Sequence, residues 1–423
     1  MKLLFKGGRV FRNGELTEAD VLVEDGIVTR IESGIPPIDD SDGRTIECDR
    51  FVISPGFADP HVHLREPGYS YKATIASETR AAAAGGFTHV GAMPNLDPVP
   101  DSIPHLQEEL AIIERDAVIN VIPIGAVTVG EKGEALADLD GLAPYVFGFS
   151  DDGFGVQSGD IMREAFEAAA RLDRPILAHC EVEEIVGEGV IHDGELAKEL
   201  GLPGKPSEGE WKMVERDIEL VRETGAHYHV CHLSTKETVE LVRTAKAEGL
   251  PVTGEAAPHY LCFNDSTIED HGRFRMNPPI RSREDQEAVQ QAFADGTIDV
   301  LATDHAPHSN EEKSHGLKGS ANGIIGMETS FPGVNHTMVV SGKMTLEALL
   351  DRMVTKTRAF MGIEPEIQIG EPADLAIFDP DESYVVDSST FESAASSTPF
   401  EGLTVTGRIK MTMYNGEVVW EQL

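Results

Sequence analysis

Phe51-Val52-Ile53-Ser54-Pro55-Gly56-Phe57-Ala58-Asp59-Pro60-His61-Val62-His63-Leu64-Arg65 is the stretch that decides how this chain is read. Its first eight residues are apolar apart from one serine, as a buried strand requires. The two histidines are two residues apart. Strand side chains alternate, so both imidazoles fall on one face and can converge on one ion. Arg65 keeps the same period and offers a planar fork to a carboxylate. A His-x-His pair alone is more often a satisfied core or surface pair than a metal site. Its meaning depends on what stands at the ends of later strands.

Upstream, residues 2 to about 50 alternate and turn often. Segments 3–11, 19–26 and 27–31 read as short strands joined by glycine turns. Downstream the rhythm becomes strand, loop, helix. Helices are expected at 73–85, 103–115, 160–172, 208–224, 235–248 and 284–295, then at 325–340 and 345–361. Strands fall between them at 87–93, 118–126, 145–149, 175–178, 227–231, 251–255 and 298–302. After Gly362 short strands return at 373–380 and 407–420, the latter folded at Asn415-Gly416. The expected fold class is therefore α/β: a (β/α)8 TIM-type barrel with a small β-sandwich-like domain formed by both chain ends. The expected boundaries are 1–53 and 363–423 for the small domain and 54–362 for the barrel.

The 423 residues include 73 acidic and 35 basic side chains, a formal net charge of −38. That balance excludes nucleic-acid backbones and anionic membranes as partners. The acidity is spread along the chain, as expected of a protein kept soluble in concentrated salt, where screening removes self-repulsion. A halophilic source is the expectation. Cys48, Cys180, Cys231 and Cys262 are scattered and form no Cys-x-x-Cys pair, which suits reduced thiols in the cytoplasm. The N-terminus breaks at Gly7-Gly8 before a signal-peptide apolar region forms, and no apolar run approaches membrane-spanning length.

Active sites on such barrels are built at the C-terminal ends of the strands. There the expected strands place His61 and His63 (first), Asp151 and Asp152 (fourth), His179 (fifth), His232 (sixth) and Asp304 (eighth). Each has a plain explanation alone: strand-end histidines cap carbonyls, Asp-Asp-Gly is an ordinary turn, and Asp304 could cap a helix. Together, taking one aspartate of the Asp151-Asp152 pair, they are four histidines and two aspartates at one rim, a donor set suited to Zn²⁺ or a similar divalent ion. Six donors exceed what one ion with an open position needs, and two ions sharing a carboxylate fit the count.

At this point the chain resembles the amidohydrolase superfamily, and within it the class I dihydroorotases. The carriers are Asp-Pro-His-Val-His-Leu-Arg-Glu-Pro-Gly at 59–68 and Ala-Thr-Asp-His-Ala-Pro-His at 302–308, followed by Lys313. The similarity spans nearly the whole chain. It implies that His61 and His63 bind one Zn²⁺, that His179 and His232 bind the second, and that an aspartate of the fourth strand bridges them. Asp152 is favoured, with Asp151 as second choice. Hydantoinases, allantoinases and the other dihydroorotase class carry a carboxylated lysine there, and none stands near Gly148-Phe149-Ser150-Asp151-Asp152.

The resemblance further implies hydrolysis of dihydroorotate to N-carbamoyl-L-aspartate, reversed in pyrimidine synthesis, with Asp304 as general base and acid. Arg65, Asn95 and His308 would hold the substrate's carboxylate, and Asn277 the ring edge. Segment 309–323 is a candidate lid. It departs from the family, because Gly319-Ser320-Ala321-Asn322-Gly323 stands where a proline- and phenylalanine-bearing stretch is expected. A homodimer and an association with aspartate carbamoyltransferase remain open as partners. The alternatives are a hydantoinase- or allantoinase-like cyclic amidase and a non-catalytic partner of that transferase; the complete ligand set argues against the latter.

Overall fold

A computed structural model describes residues 2–39 and 41–423. Strands from both chain ends pair in one mixed sheet of eight. Its order is Glu417–Glu421, Thr404–Tyr414, Leu375–Val385, Val52–Pro55, Lys2–Arg12, Glu15–Glu24 and Ile27–Glu32, with Gly43–Glu47 also on Lys2–Arg12. Hydrogen bonding is continuous across it, so the expected sandwich-like layers are one sheet that encloses its own core of Phe5, Val10, Val21, Ile53, Ile377 and Met411. Asn415 and Gly416 both have positive φ, 49° and 81°, as a two-residue hairpin turn demands.

Val52–Pro55 leads straight into the first of eight parallel strands, Phe57–Val62. Phe87–Ala92, Asn120–Pro123 with Gly125–Ala126, Phe149–Ser150, Ile176–Ala178, Tyr228–Val230, Val252–Ala256 and Val300–Leu301 follow. Each pairs parallel with the next among those for which strand ladders form. The stretch after the eighth bonds back to the first: Asp304 N donates to His61 O at 3.1 Å and His63 N to His305 O at 2.8 Å. These bonds set the strand ends that matter below.

Helices alternate with these strands for reasons written locally. Ile75–Ala84 starts at Thr74, whose hydroxyl accepts from Ser77 N in a capping box. Gly159–Leu172 starts at Ser158 and buries Met162, Ala165, Phe166 and Ala169, one stripe of helical spacing. Among the described residues no helix is long and apolar enough to cross a membrane.

The expected helix over 325–340 is α-helical only over Met327–Val334 and widens to a π-helix over Asn335–Val340. Pro332 lacks an N–H inside it. Buried Asn335 donates to Pro380 O and Thr406 O in the terminal sheet, at 2.9 and 2.8 Å. The expected helix over 345–361 is likewise interrupted by a π-turn at Asp351–Thr355. Phe57, Phe331 and Phe378, with centroids 4.6–5.6 Å apart, join the parallel strands to the terminal sheet. All four cysteines are free.

Candidate active site

Six donors converge at the C-terminal ends of the parallel strands. His63 Nε2 lies 3.3 Å from Asp304 Oδ1 and 3.4 Å from Asp152 Oδ2. His61 Nε2 lies 3.6 Å from both Asp152 Oδ1 and Asp304 Oδ1. On the other side of Asp152 Oδ1 stand His232 Nε2 at 3.3 Å and His179 Nδ1 at 3.7 Å, themselves 3.0 Å apart. Two groups thus share the Asp152 carboxylate. Arg65, His232 and Asp304 have positive φ of 68°, 33° and 49°, a conformation that costs non-glycine residues energy. The chain accepts it while turning sharply off the strands.

The residues beneath hold this geometry. His61 Nδ1–H donates to Glu255 Oε1 at 2.6 Å, which fixes the tautomer and leaves Nε2 as the free donor. Glu255 also accepts from His229 Nε2 and from His232 N, both at 3.0 Å. Burial would raise the Glu255 pKa, but His61 and His229 outweigh it and hold the carboxyl below its usual range. Asp59 accepts from His61 N at 3.1 Å and Thr303 Oγ1 at 2.6 Å, locking the first strand to the eighth. The Asp151 carboxylate points away: it accepts from Val127 N, Thr128 N and the Thr128 hydroxyl. Of the pair, only Asp152 faces the histidines.

These residues suit a metal. Groups drawn from His61, His63, Asp304, Asp152 and His232 place their ligand atoms within 4.8 Å of one another. Fully buried His61 Nε2 has no hydrogen-bond partner among the described residues, although it faces two carboxylates. Ligands about 2.1 Å from one ion in tetrahedral array stand about 3.4 Å apart. The observed 3.3–3.6 Å spacings among His61, His63, Asp152 and Asp304 match that figure.

Above the donors opens a cavity of about 440 Å³ whose walls include Arg65, Lys72, Asn95, Glu131, Asn277, His308 and Gly323. Buried Arg65 donates from Nε to Pro307 O at 3.0 Å and lies 3.2 Å from His308 Nε2. No carboxylate is bonded to it among the described residues. Burial lowers its pKa to about 10. His308 Nε2 donates to Asn322 O at 2.6 Å, so its Nδ1 accepts from Lys72 Nζ at 3.3 Å. Burial, then Arg65 and Lys72, push the His308 pKa down to about 3. Asn95 Nδ2 donates to Asp152 O at 2.6 Å and Glu131 Oε1 at 3.0 Å. Its oxygen is therefore the end left for a ligand. Asn277 Nδ2 lies 3.2 Å from His179 Nε2, and its oxygen accepts from Lys205 Nζ at 2.7 Å. Segment 309–323 is fastened from within, since Lys313 Nζ donates to the carbonyls of Arg275, Ala321 and Gly323.

All ten expected site residues thus surround one cavity and the donor cluster beneath it. Glu255, Asp59, Glu131 and Lys72 were not singled out from the sequence. The usable signal for Glu255 is a lone carboxylate within the otherwise uncharged strand Val252–Ala256. Burial, then the charges of Asp151 and Asp152, raise the Glu131 pKa to about 9.

A family model described as Dihydro-orotase-like matches residues 50–238. The chain is 42% identical to the dihydroorotase of Macrococcus caseolyticus and 43% identical to that of Anoxybacillus flavithermus, in each case over all of this chain and 99% of the relative. Among solved structures, L-hydantoinase (dihydropyrimidinase) from Arthrobacter aurescens superposes with a TM-score of 0.87 at 28% identity, covering 99% of this chain and 96% of that one. A dihydropyrimidinase from Brevibacillus agri shares the fold at 22% identity, with a TM-score of 0.85 over 100% and 95% of the two chains. With full-length identity at this level, the chain belongs to the dihydroorotase family.

Proposed function

We propose that the protein catalyses the reversible hydrolysis of (S)-dihydroorotate to N-carbamoyl-L-aspartate, run toward ring closure in de novo pyrimidine synthesis. One observation carries the reading beyond family membership: buried Arg65, to which no carboxylate is bonded among the described residues, faces the same cavity as the His and Asp cluster. A cyclic amide bearing a carboxylate satisfies both ends at once. Hydantoin and allantoin offer no such carboxylate, and the fourth strand has aspartates where their enzymes carry lysine.

The eight parallel strands and their helices are read as a closed (β/α)8 barrel over 54–362, with the terminal sheet contributed by 1–53 and 363–423. His61 and His63 on one side, and His179 and His232 on the other, would hold two Zn²⁺ ions bridged by Asp152, with Asp304 completing the first site. Bound there, the metal supplies Lewis acidity and a water of lowered pKa. Asp304 accepts the proton of the attacking water and returns it to the ring nitrogen as the amide bond breaks. Arg65 holds the substrate's carboxylate, His308 stands beside it, and Asn95 and Asn277 face the ring. Glu255 keeps His61 in the tautomer that leaves Nε2 free.

The net charge of −38 supports a halophilic, cytoplasmic setting; unfolding midpoints that climb with salt up to molar concentrations would accord with it, and full stability at low salt would not. A homodimer, and a complex with aspartate carbamoyltransferase, are the assemblies to look for by light scattering with and without the transferase. The decisive experiment is metal analysis of the purified protein beside turnover of dihydroorotate, hydantoin and allantoin. Turnover of dihydroorotate with about two zinc per chain is expected. Turnover of hydantoin or allantoin in its place rejects the substrate.

A further inference from the structure

A second cavity, of about 620 Å³, opens at the opposite end of the parallel strands, in the seam between their N-terminal ends and the terminal sheet. The strand from Gly56 to His61, rising about 3.3 Å per residue, separates this seam from the donor cluster by about 17 Å. Arg358, on the helix Lys356–Phe360, lines the cavity and is 4% exposed. Its Nε donates to Glu364 O at 2.6 Å, and its Nη1 to Gly56 O at 2.9 Å and Thr88 Oγ1 at 3.3 Å. Among the described residues Nη2 has no hydrogen-bond partner, and no carboxylate is bonded to the guanidinium. Burial lowers its pKa to about 10, so it stays charged at neutral pH.

His89 stands beside it. Arginine only donates, so the 3.5 Å contact from Arg358 Nη1 makes His89 Nδ1 an acceptor, and the Thr88 hydroxyl reaches the same nitrogen at 2.9 Å. Burial, then Arg358, push the His89 pKa down to about 3, so the neutral ring carries its hydrogen on Nε2. That N–H also lacks a partner among the described residues. The cavity is thus offered two donors, one of them charged.

Asp374 comes from the terminal sheet, just before the strand Leu375–Val385. Its Oδ1 accepts from Asn415 N at 2.7 Å, and among the described residues Oδ2 has no partner. Asp374 and Arg358 feel each other's charge across the cavity without closing an ion pair. The other carboxylates of the lining are Glu364, Glu366 and Glu371. Glu364 accepts from Gln368 Nε2, and Glu366 from Asn13 N. The wall therefore sets four carboxylates against one cation. A bare anion on Arg358 would meet that surplus, and a bare cation would leave the guanidinium unanswered. A ligand carrying both charges meets neither penalty. Ile363, Ile367 and the Tyr414 ring, edge-on to His89 with centroids 5.8 Å apart, give its body an apolar surface.

We propose that this seam cavity binds a small zwitterion, an α-amino acid with an apolar or aromatic side chain. Its carboxylate takes Arg358 Nη2 and His89 Nε2, its ammonium takes Asp374 Oδ2, and its side chain lies against Ile363, Ile367 and Tyr414. The site is separate from the metal-type cluster and does not depend on the substrate assigned there.

Isothermal titration calorimetry of the full-length protein tests this with four probes: L-phenylalanine, L-leucine, 3-phenylpropionate (the carboxylate alone) and 2-phenylethylamine (the ammonium alone). At least one of the amino acids is expected to bind with a Kd of about 1 mM or below, and each single-charge analogue at least about tenfold more weakly than L-phenylalanine. Asp374→Asn keeps the acceptor for Asn415 N and removes the charge, and should weaken the amino acid about tenfold. Arg358→Met should weaken it by at least as much. Because Arg358 also ties down Glu364 and Gly56, that variant can fail to fold; Asp374→Asn and His89→Phe then decide alone. No saturable binding of either amino acid up to about 20 mM overturns the proposal. So does equal affinity in the wild type and Asp374→Asn, which places the ligand elsewhere. A 3-phenylpropionate that binds as tightly as L-phenylalanine overturns it too, since the ammonium then plays no part in recognition.

Discussion

The two walls of the cavity handle charge in opposite ways. On the deep wall, four imidazoles and two carboxylates crowd within contact distance, and among the described residues His61 Nε2 is left without a hydrogen-bond partner. That wall is short of a cation. On the outer wall, Arg65 and Lys72 face the cavity, and among the described residues no carboxylate is bonded to Arg65, so it is short of an anion. Each wall alone would be a costly arrangement, since buried charge without a partner is expensive. Together they describe a ligand with a polarisable carbonyl at one end and a carboxylate at the other. The fold can hold both because they come from different strand ends, stiffened from below by Glu255 and Asp59.

The comparison breaks most severely at Asp304. Asp304→Asn keeps the volume and removes the proton acceptor, and kcat should fall by about 10³ with KM little changed. A loss below tenfold would hand the proton to another group. At the outer wall, Arg65→Met should cost about 10² in kcat/KM, nearly all of it as KM, with metal content intact. Parallel loss of metal would mean that the two walls are not independent. Next comes Glu255→Gln. The amide can still meet His61, but the charge is gone, and zinc affinity measured by competition with a chelator should weaken about 10- to 100-fold. An unchanged affinity would demote Glu255 to a packing residue.

Much of the deep wall was legible in the sequence, because ligand-type residues at strand ends are read one strand at a time and simply accumulate. The resemblance already favoured Asp152 over Asp151, and the structure adds the reason: Val127 N and Thr128 N occupy the Asp151 carboxylate. Glu255 was not legible as a partner of His61, since the bond spans 194 residues. On the outer wall the residue types were readable but their free atoms were not. Asn95 was expected to donate to a carboxylate, yet both its N–H groups are taken and its oxygen is left. Among the elements, the long helices read well, and the π-turns at Asn335–Val340 and Asp351–Thr355 did not. No local propensity distinguishes a π-turn when its cause is a tertiary bond such as that from Asn335 to Thr406.

A buried carboxyl far from either wall supplies the control. Glu109, on the helix Ile103–Asp116, is 2% exposed, and its Oε2 has no hydrogen-bond partner among the described residues. Glu255 is as deeply buried, but its histidines keep it ionised. Among the described residues nothing comparable faces Glu109, and burial alone raises its pKa well above the ordinary 4.5. An acid whose folded pKa is raised leaves stability complete below the unfolded pKa and drains it as pH climbs toward the folded value. The wild type should therefore lose stability from about pH 4.5 upward through neutrality on account of this residue. Glu109→Leu removes that slope and, near pH 8, should stabilise the chain by about 1–3 kcal/mol in urea unfolding. The gain should shrink at pH 5 and leave kcat and KM untouched. A substitution that destabilises at both pH values would mean that Glu109 has a partner in solution, and that unpaired burial is confined to cavities where a ligand completes it.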